Sequence, residues 1–389
     1  PRIIIPRSLE LLNACDRLHA RINHVQEKRG VGGTIKKAGR LRLKDLTSRF
    51  DIARALKPLW AELPADKKRL YIQPDGVLAS IPWGILPLDD RQMLEDRYDM
   101  VYIGSLSALS PPPRQKKPIP SMLTFGGIDY DTKPPPGPTF QPWEKPFDVV
   151  LQPVENWMTK PWAALSTEAE ANAVCTSFSR AFGRASTLRD KNRATKRAFL
   201  ELAPNFSVIH LATHAYVEPS GPAPRWSGLF DPATYFNIFV PETMPDRRGM
   251  DSGIVFAGAN QPRFEPLSTP VLTAFELSSL DLTQCELAVL SACSTSEGAR
   301  FFGDTIAGLN RSLQLAGVDN TITSLWDVND RATTVLFKAF YKELFERRVP
   351  LRQAFRNARD VVRRKRLGVD VWAGFVLYSQ GVDDQGLFD

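Results

Sequence analysis

Two short apolar runs constrain what this chain can fold into. FSVIHLA (206–212) and ELAVLSA (286–292) are nearly continuous in aliphatic residues and about one strand long. Strands of that kind are covered on both faces, as in a parallel sheet with helices above and below it. The neighbouring segments fit this reading. SMLTFGG (121–127), ASTLR (185–189), VDNTITSLW (318–326) and VWAGFVLYS (371–379) read as further strands. STEAEANAVCTSFSRAF (166–182), RATKRAFLEL (193–202), GDTIAGLNRSLQLAG (303–317, closed by glycine), 331–347 and 351–366 have the spacing of amphipathic helices. Thr167 with Glu170 forms a capping-box pattern at the start of the first of these. Alternating strands and helices predict an α/β fold with a mostly parallel sheet flanked by helices.

Upstream of residue 119 the pattern differs. LELLNACDRLHARI (9–22) and DIARALKPLWAEL (51–63) read as helices, with a basic, glycine-containing loop between them. RLYIQPDGVLASIPWGILP (69–87) reads as strand, Asp-Gly turn and strand, and DMVYIG (99–104) as another strand. The prolines, 31 in 389 residues, cluster as PPPR (111–114) and PPPGP (134–138), which read as extended connectors at a subdomain junction. Hydrophobic content of 43% and charged content of 24% are those of an ordinary globular chain. No apolar run is long enough to span a bilayer, and no signal peptide is evident. The chain starts at Pro1, so an upstream region is allowed for. Cys15, Cys175, Cys285 and Cys293 are widely spaced without a CxxC pair, which argues against a zinc ribbon and for reduced thiols in a cytoplasmic protein. The net charge of +7 permits an acidic or nucleic-acid partner without requiring one.

In open α/β sheets, ligands sit beyond the carboxyl ends of the strands. FSVIHLA runs out at Thr213-His214 and ELAVLSA at Ala292-Cys293, so two predicted strands deliver an imidazole and a thiol to one edge. A histidine beside a thiol lowers its pKa or acts as its base. The plainer reading of Cys293 alone is a small buried core residue. His210 sits within the strand and reads as a satisfied core histidine. His210 and His214 are four apart, which on a helix would suit a metal; on a strand they lie well separated, so no metal is expected.

At these residues the chain also resembles a known family. HLATHA, LTAFELSSLDLTQCELAVLSACST, SLWDVND, FYKELFERRVPLRQAFRNAR and VWAGFVLY look like the CHAT domain family, caspase-like cysteine peptidases related to separases. PDGVLASIPWGILP, MLEDRYDMVYIGSLSAL and LSTEAEANAV resemble its amino-terminal half, and the likeness covers roughly residues 50–380. The resemblance implies a caspase-like domain over 119–389 and a smaller α/β pseudo-caspase-like subdomain over 51–118, behind a helical and basic segment at 1–50. It also implies a His214–Cys293 dyad without cofactor, with the backbone N–H groups of Ala215 and Cys293 as oxyanion donors. Ala215 stands where the family usually has glycine, which matters if the backbone there needs positive φ. Ser324, Leu325 and Trp326 are the groove candidates, beside which a substrate strand would add; Asp327 and Glu297 are candidates for reading a basic side chain. Asp330 reads as a helix N-cap. Relatives imply limited proteolysis of a protein substrate in conflict or cell-death systems, an upstream helical-repeat region or activator, and a monomer. Residues 217–250 form an insertion beside the expected site and are read as a gating or shaping loop. The alternative is a non-catalytic caspase-like adaptor. Arg352, Arg356, Arg359 and Arg363 share one helix face, read as solvated rather than as a nucleic-acid contact.

Overall fold

The computed structural model describes residues 9–27, 41–63, 66–74, 76–109, 119–133, 161–217, 252–261, 270–294, 302–326, 328–380 and 387. Glu297, Asp327, nearly all of the 217–250 insertion and both proline clusters lie outside them.

In chain order the helices are α1 (Leu9–Glu27), α2 (Ser48–Ala55), α3 (Lys57–Glu62), α4 (Leu94–Arg97), α5 (Glu168–Phe182), α6 (Lys196–Leu202), α7 (Ala274–Ser278), α8 (Phe302–Leu315), α9 (Asp330–Tyr341), α10 (Leu351–Arg364) and α11 (Val369–Trp372). The strands are β1 (Arg69–Ile72), β2 (Asp99–Tyr102), β3 (Met122–Ile128), β4 (Thr187–Lys191), β5 (Val208–Val217), β6 (Ser252–Val255), β7 (Val271–Thr273), β8 (Leu287–Ser294), β9 (Asn320–Ser324) and β10 (Phe375–Ser379). They form one sheet in the order β1-β2-β10-β9-β8-β5-β3-β4, with β6 pairing β5 and β7. The strands are parallel except where β10 meets β9 and where β6 meets β5 and β7. This is the mostly parallel, helix-flanked α/β sheet that the apolar runs predicted.

Period-two alternation divides the core between the two sheet faces. Met122, Val208, Leu287 and Val289 join one apolar cluster with α1, α5, α9 and α10. Their chain neighbours Leu123, Ile209, Ala288 and Leu290 join the other, with α6, α7 and α8. Phe125, Phe199 and Phe256 meet in the second cluster at centroid distances of 5.6–5.8 Å. Removing one such ring typically costs about 3–5 kcal/mol.

Several local expectations change. The segment 69–87 is a strand only in its first part; the remainder holds 3₁₀ turns at Gly76–Ser80 and Trp83–Ile85. Pro82 and Pro87 carry no N–H for a ladder, and Trp83 spends its donors on the Tyr102 hydroxyl and the Leu78 carbonyl. The segment 371–379 begins as α11 before becoming β10. Thr167 does not cap α5 through its side chain. Its Oγ1 accepts from Gly127 N–H at 2.9 Å and donates to the Ala212 carbonyl at 3.1 Å, tying β3 to β5. The side chain that caps α9 is Asn329, whose Oδ1 accepts from Ala332 N–H at 3.3 Å. Asp330 is the first residue of that helix and accepts from Ser166 N–H at 2.7 Å.

The arginine stripe on α10 is solvated only in part: Arg356 is exposed, but its neighbours on the stripe are drawn toward the protein. Arg352 is buried, and Arg359 pairs with the buried Glu95 of α4 at 2.7 Å. Arg363 reaches Glu95 at 3.3 Å, and Arg356 donates to its main-chain carbonyl at 2.8 Å. The stripe therefore faces the amino-terminal part of the sheet across a cavity of about 280 Å³.

Candidate functional site: His214 and Cys293 at the ends of two paired strands

β5 and β8 are direct parallel neighbours, and their register sets Ala212 against Ser291, Thr213 against Ala292, His214 against Cys293 and Ala215 against Ser294. The two residues singled out in the sequence are thus register partners near the carboxyl ends of adjacent central strands, where ligands sit in this type of sheet. His210 lies four residues earlier on β5, about 13 Å away at strand spacing, too far to share a metal with His214. Among the described residues no group of three or more metal-ligating side chains forms a site.

His214 is completely buried among the described residues and held on three sides. Its Nε2 donates to the Ala163 carbonyl at 2.7 Å. The Tyr130 and Trp162 rings flank the imidazole at 5.0 and 5.2 Å between centroids. A neutral ring that donates from Nε2 carries its lone pair on Nδ1, so this contact selects the nitrogen available as a base. The flanking residues are themselves fixed. Tyr130 Oη lies 3.0 Å from Thr213 Oγ1, which donates to the Val255 carbonyl at 2.5 Å. Asn260 bonds both the N–H and the carbonyl of Trp162.

β5 continues past His214 to Val217, so Ala215 is a paired strand residue, opposite Ile254 of β6 as well as Ser294. It is not among the residues with positive φ, and alanine fits its backbone without strain. The groove candidates are placed otherwise than the sequence suggested. Ser324 is half-buried at the end of β9, and both edges of β9 are occupied, by β8 and by β10. Leu325 and Trp326 point into the core, with the Trp326 indole donating to the Asp370 carbonyl at 2.8 Å. These two side chains therefore do not line an open groove.

His210 is the satisfied core histidine that the pattern predicted: Nε2 lies 3.0 Å from Glu170 Oε1 and Nδ1 3.1 Å from Tyr341 Oη. Burial, and then the Glu170 carboxylate, push the Tyr341 hydroxyl pKa well above its usual range. Sequence reasoning missed Ala163, Tyr130, Trp162 and Asn260. Ala163 acts through its main chain, which no side-chain motif announces.

A CHAT domain profile matches residues 51–380. The chain belongs to the CHAT domain family. Among solved structures it is similar to two crystal structures of the Saccharomyces cerevisiae separase–securin complex, at 2.6 and 3.0 Å resolution. Each match has 13% identity and covers 85% of this chain, with TM-scores of 0.39 and 0.41. The chain spans only 17% and 16% of the lengths of those separase chains. No curated protein matches it.

Proposed function

We propose that this chain is a cysteine endopeptidase in which Cys293 is the nucleophile and His214 its base. The observation that carries the reading is the β5–β8 register, which sets these two residues opposite each other at the carboxyl end of the sheet. In this reading Nδ1 of His214 takes the thiol proton, because Nε2 is committed to the Ala163 carbonyl. The thiolate attacks the peptide carbonyl carbon to form a tetrahedral adduct. The adduct collapses to a thioester as the imidazolium protonates the departing amine. Water, deprotonated by His214, then hydrolyses the thioester and restores the thiol. The backbone N–H groups of Cys293 and Ala215 are the assigned donors to the tetrahedral oxygen. The substrate is a protein cut at few sites, in keeping with the regulated proteolysis implied for conflict or cell-death systems.

The test is cleavage of a proteome-derived peptide library, read by mass spectrometry, for wild type, Cys293→Ala and His214→Ala. Cleavage by wild type, with both variants lower by about 10³-fold or more, is the expected result. A parallel reaction with a peptidyl electrophile is expected to label Cys293 and to slow in His214→Ala. Absence of both cleavage and labelling would favour the non-catalytic adaptor.

A further inference from the structure

Three contacts tie residues 163–170 to β5 in antiparallel order. The Ala163 carbonyl meets His214 Nε2 at 2.7 Å, Thr167 Oγ1 meets the Ala212 carbonyl at 3.1 Å, and Glu170 Oε1 meets His210 Nε2 at 3.0 Å. The segment climbs as the strand descends, and every second residue of β5 receives one contact. Behind the last of these, Tyr341 of α9 reaches His210 Nδ1 at 3.1 Å, and the Phe337 ring lies against the imidazole at 5.2 Å. His210 is wholly buried and Glu170 nearly so. For a neutral imidazole one proton arrangement satisfies both bonds: the Tyr341 hydroxyl donates to Nδ1, and Nε2–H donates to the Glu170 carboxylate.

We infer that Glu170 and His210, backed by Tyr341, are positioning residues for His214. They hold the start of α5 against β5, so that the Ala163 carbonyl keeps His214 in the tautomer with its proton on Nε2 and its lone pair on Nδ1. The inference rests on the proposed role of His214 as base. None of the three reaches the reacting atoms; His210 is about 13 Å along the strand. Their influence passes through residues 162–170, which are also held by Ser166 N–H to Asp330 at 2.7 Å, Trp162 N–H to Asn260 at 2.6 Å and the Thr167 hydroxyl. The second Glu170 oxygen, Oε2, has no hydrogen-bond partner among the described residues, and Glu170 lines a cavity of about 10 Å³ together with Thr167, Ser291, Asp330 and Thr333. That void holds about one water-sized group, so the amide of a glutamine fits beside it. Glutamine retains an acceptor for His210 Nε2–H, whereas alanine removes it.

The test compares wild type, Glu170→Ala, Glu170→Gln and Tyr341→Phe by two readouts. One is kcat and KM on a peptide from the cleavage library. The other is the imidazole ¹⁵N–¹H correlation spectrum, tractable because the chain has 4 histidines, which reports the His214 tautomer without turnover. In Glu170→Ala, kcat is expected to fall about 10- to 100-fold with KM within about 2-fold, and His214 to lose its Nε2–H signature. Glu170→Gln is expected to restore both, to within about 3-fold in kcat. Tyr341→Phe, which keeps the ring, is expected to shift both readouts the same way by less, and it serves if Glu170→Ala does not fold. A folded Glu170→Ala with wild-type kcat and an unchanged His214 spectrum would overturn the inference. So would equal losses in Glu170→Ala and Glu170→Gln. If wild type cleaves nothing, the peptidase reading fails by itself, and the His214 spectrum still decides whether Glu170 positions that ring.

Discussion

Asn260 holds Trp162 by both polar groups of its backbone: Oδ1 accepts from Trp162 N–H at 2.6 Å, and Nδ2 donates to the Trp162 carbonyl at 2.9 Å. The same Nδ2 donates to Asp131 at 2.8 Å, and the Asn260 N–H donates to the Tyr130 carbonyl at 2.8 Å. One residue thus ties down both aromatic walls of His214, Trp162 through its side chain and Tyr130 through its main chain. Asn260→Ala is expected to cost about 1–3 kcal/mol of stability, because it leaves main-chain groups without partners. It is also expected to lower kcat by about 10-fold or more as the Trp162 wall loosens around His214, while the main-chain bond to Tyr130 is kept. Denaturant melts and peptide kinetics check both. Asn260→Asp keeps the acceptor but loses the donors, and should fall between wild type and alanine.

Gly317 turns the chain from α8 into β9 at a φ of +101°. A Cβ placed there would lie 2.7 Å from Thr283 Cγ2 and 3.1 Å from the Thr283 backbone. Backbone strain and the overlap with the Thr283 methyl act together, and the tight main-chain contact beside it leaves little room to relieve them. Gly317→Ala is expected to destabilise by about 3 kcal/mol. Thermal unfolding tests this. A loss under about 0.5 kcal/mol, the range of neutral surface changes, would mean that the α8–β9 turn relaxes freely.

The architecture was legible because its central strands are short, apolar and bounded by turn residues, and because His210 and His214 fall at different places on one such strand. What escaped the sequence depended on where two elements meet. Glu170 has the spacing of a capping box with Thr167, yet both side chains reach across to β3 or β5 instead. The α10 arginines have the spacing of an exposed face, but the buried carboxylate that receives them comes from Glu95, more than 250 residues earlier in the chain. Leu325 and Trp326 follow β9 as the groove reading requires, but packing against residues 370–374 turns their side chains inward.

Glu95 offers a test of that inward-facing stripe. Its carboxylate is buried and receives Arg359 at 2.7 Å and Arg363 at 3.3 Å. Removing one member of a buried ion cluster strands the charges that remain. Glu95→Ala is expected to cost about 3 kcal/mol, with Arg359 dominating because Arg363 is more exposed. The double variant Glu95→Ala/Arg359→Met should recover part of that loss, since it removes the stranded charge while keeping the packing of the side-chain stem. Urea midpoints for the two single variants and the double variant measure the coupling. Strict additivity would show that the contact contributes nothing.

Alkaline solution should weaken the fold through protons that burial retains. Burial, and then the neighbouring Asp16, push the Cys15 thiol up to about 12 from 9.0, and burial raises the Tyr102, Tyr341 and Tyr378 hydroxyls. In each case the folded state favours the neutral form. Below pH 9 both folded and unfolded chains hold these protons, and the contribution to stability is complete. Above that value the unfolded chain releases the Cys15 proton while the folded chain keeps it, so stability falls as pH rises toward 12. The tyrosines add to the slope above pH 10. Each such group contributes about 1.4 kcal/mol per pH unit inside its window. Urea midpoints are expected to change little between pH 8 and 9, and then to fall with increasing steepness between 9.5 and 10.5. Cys15→Ala starts lower, because it trims a core side chain, but should show a flatter slope between pH 9 and 10. Identical slopes for the two proteins would assign the alkaline loss to groups other than Cys15.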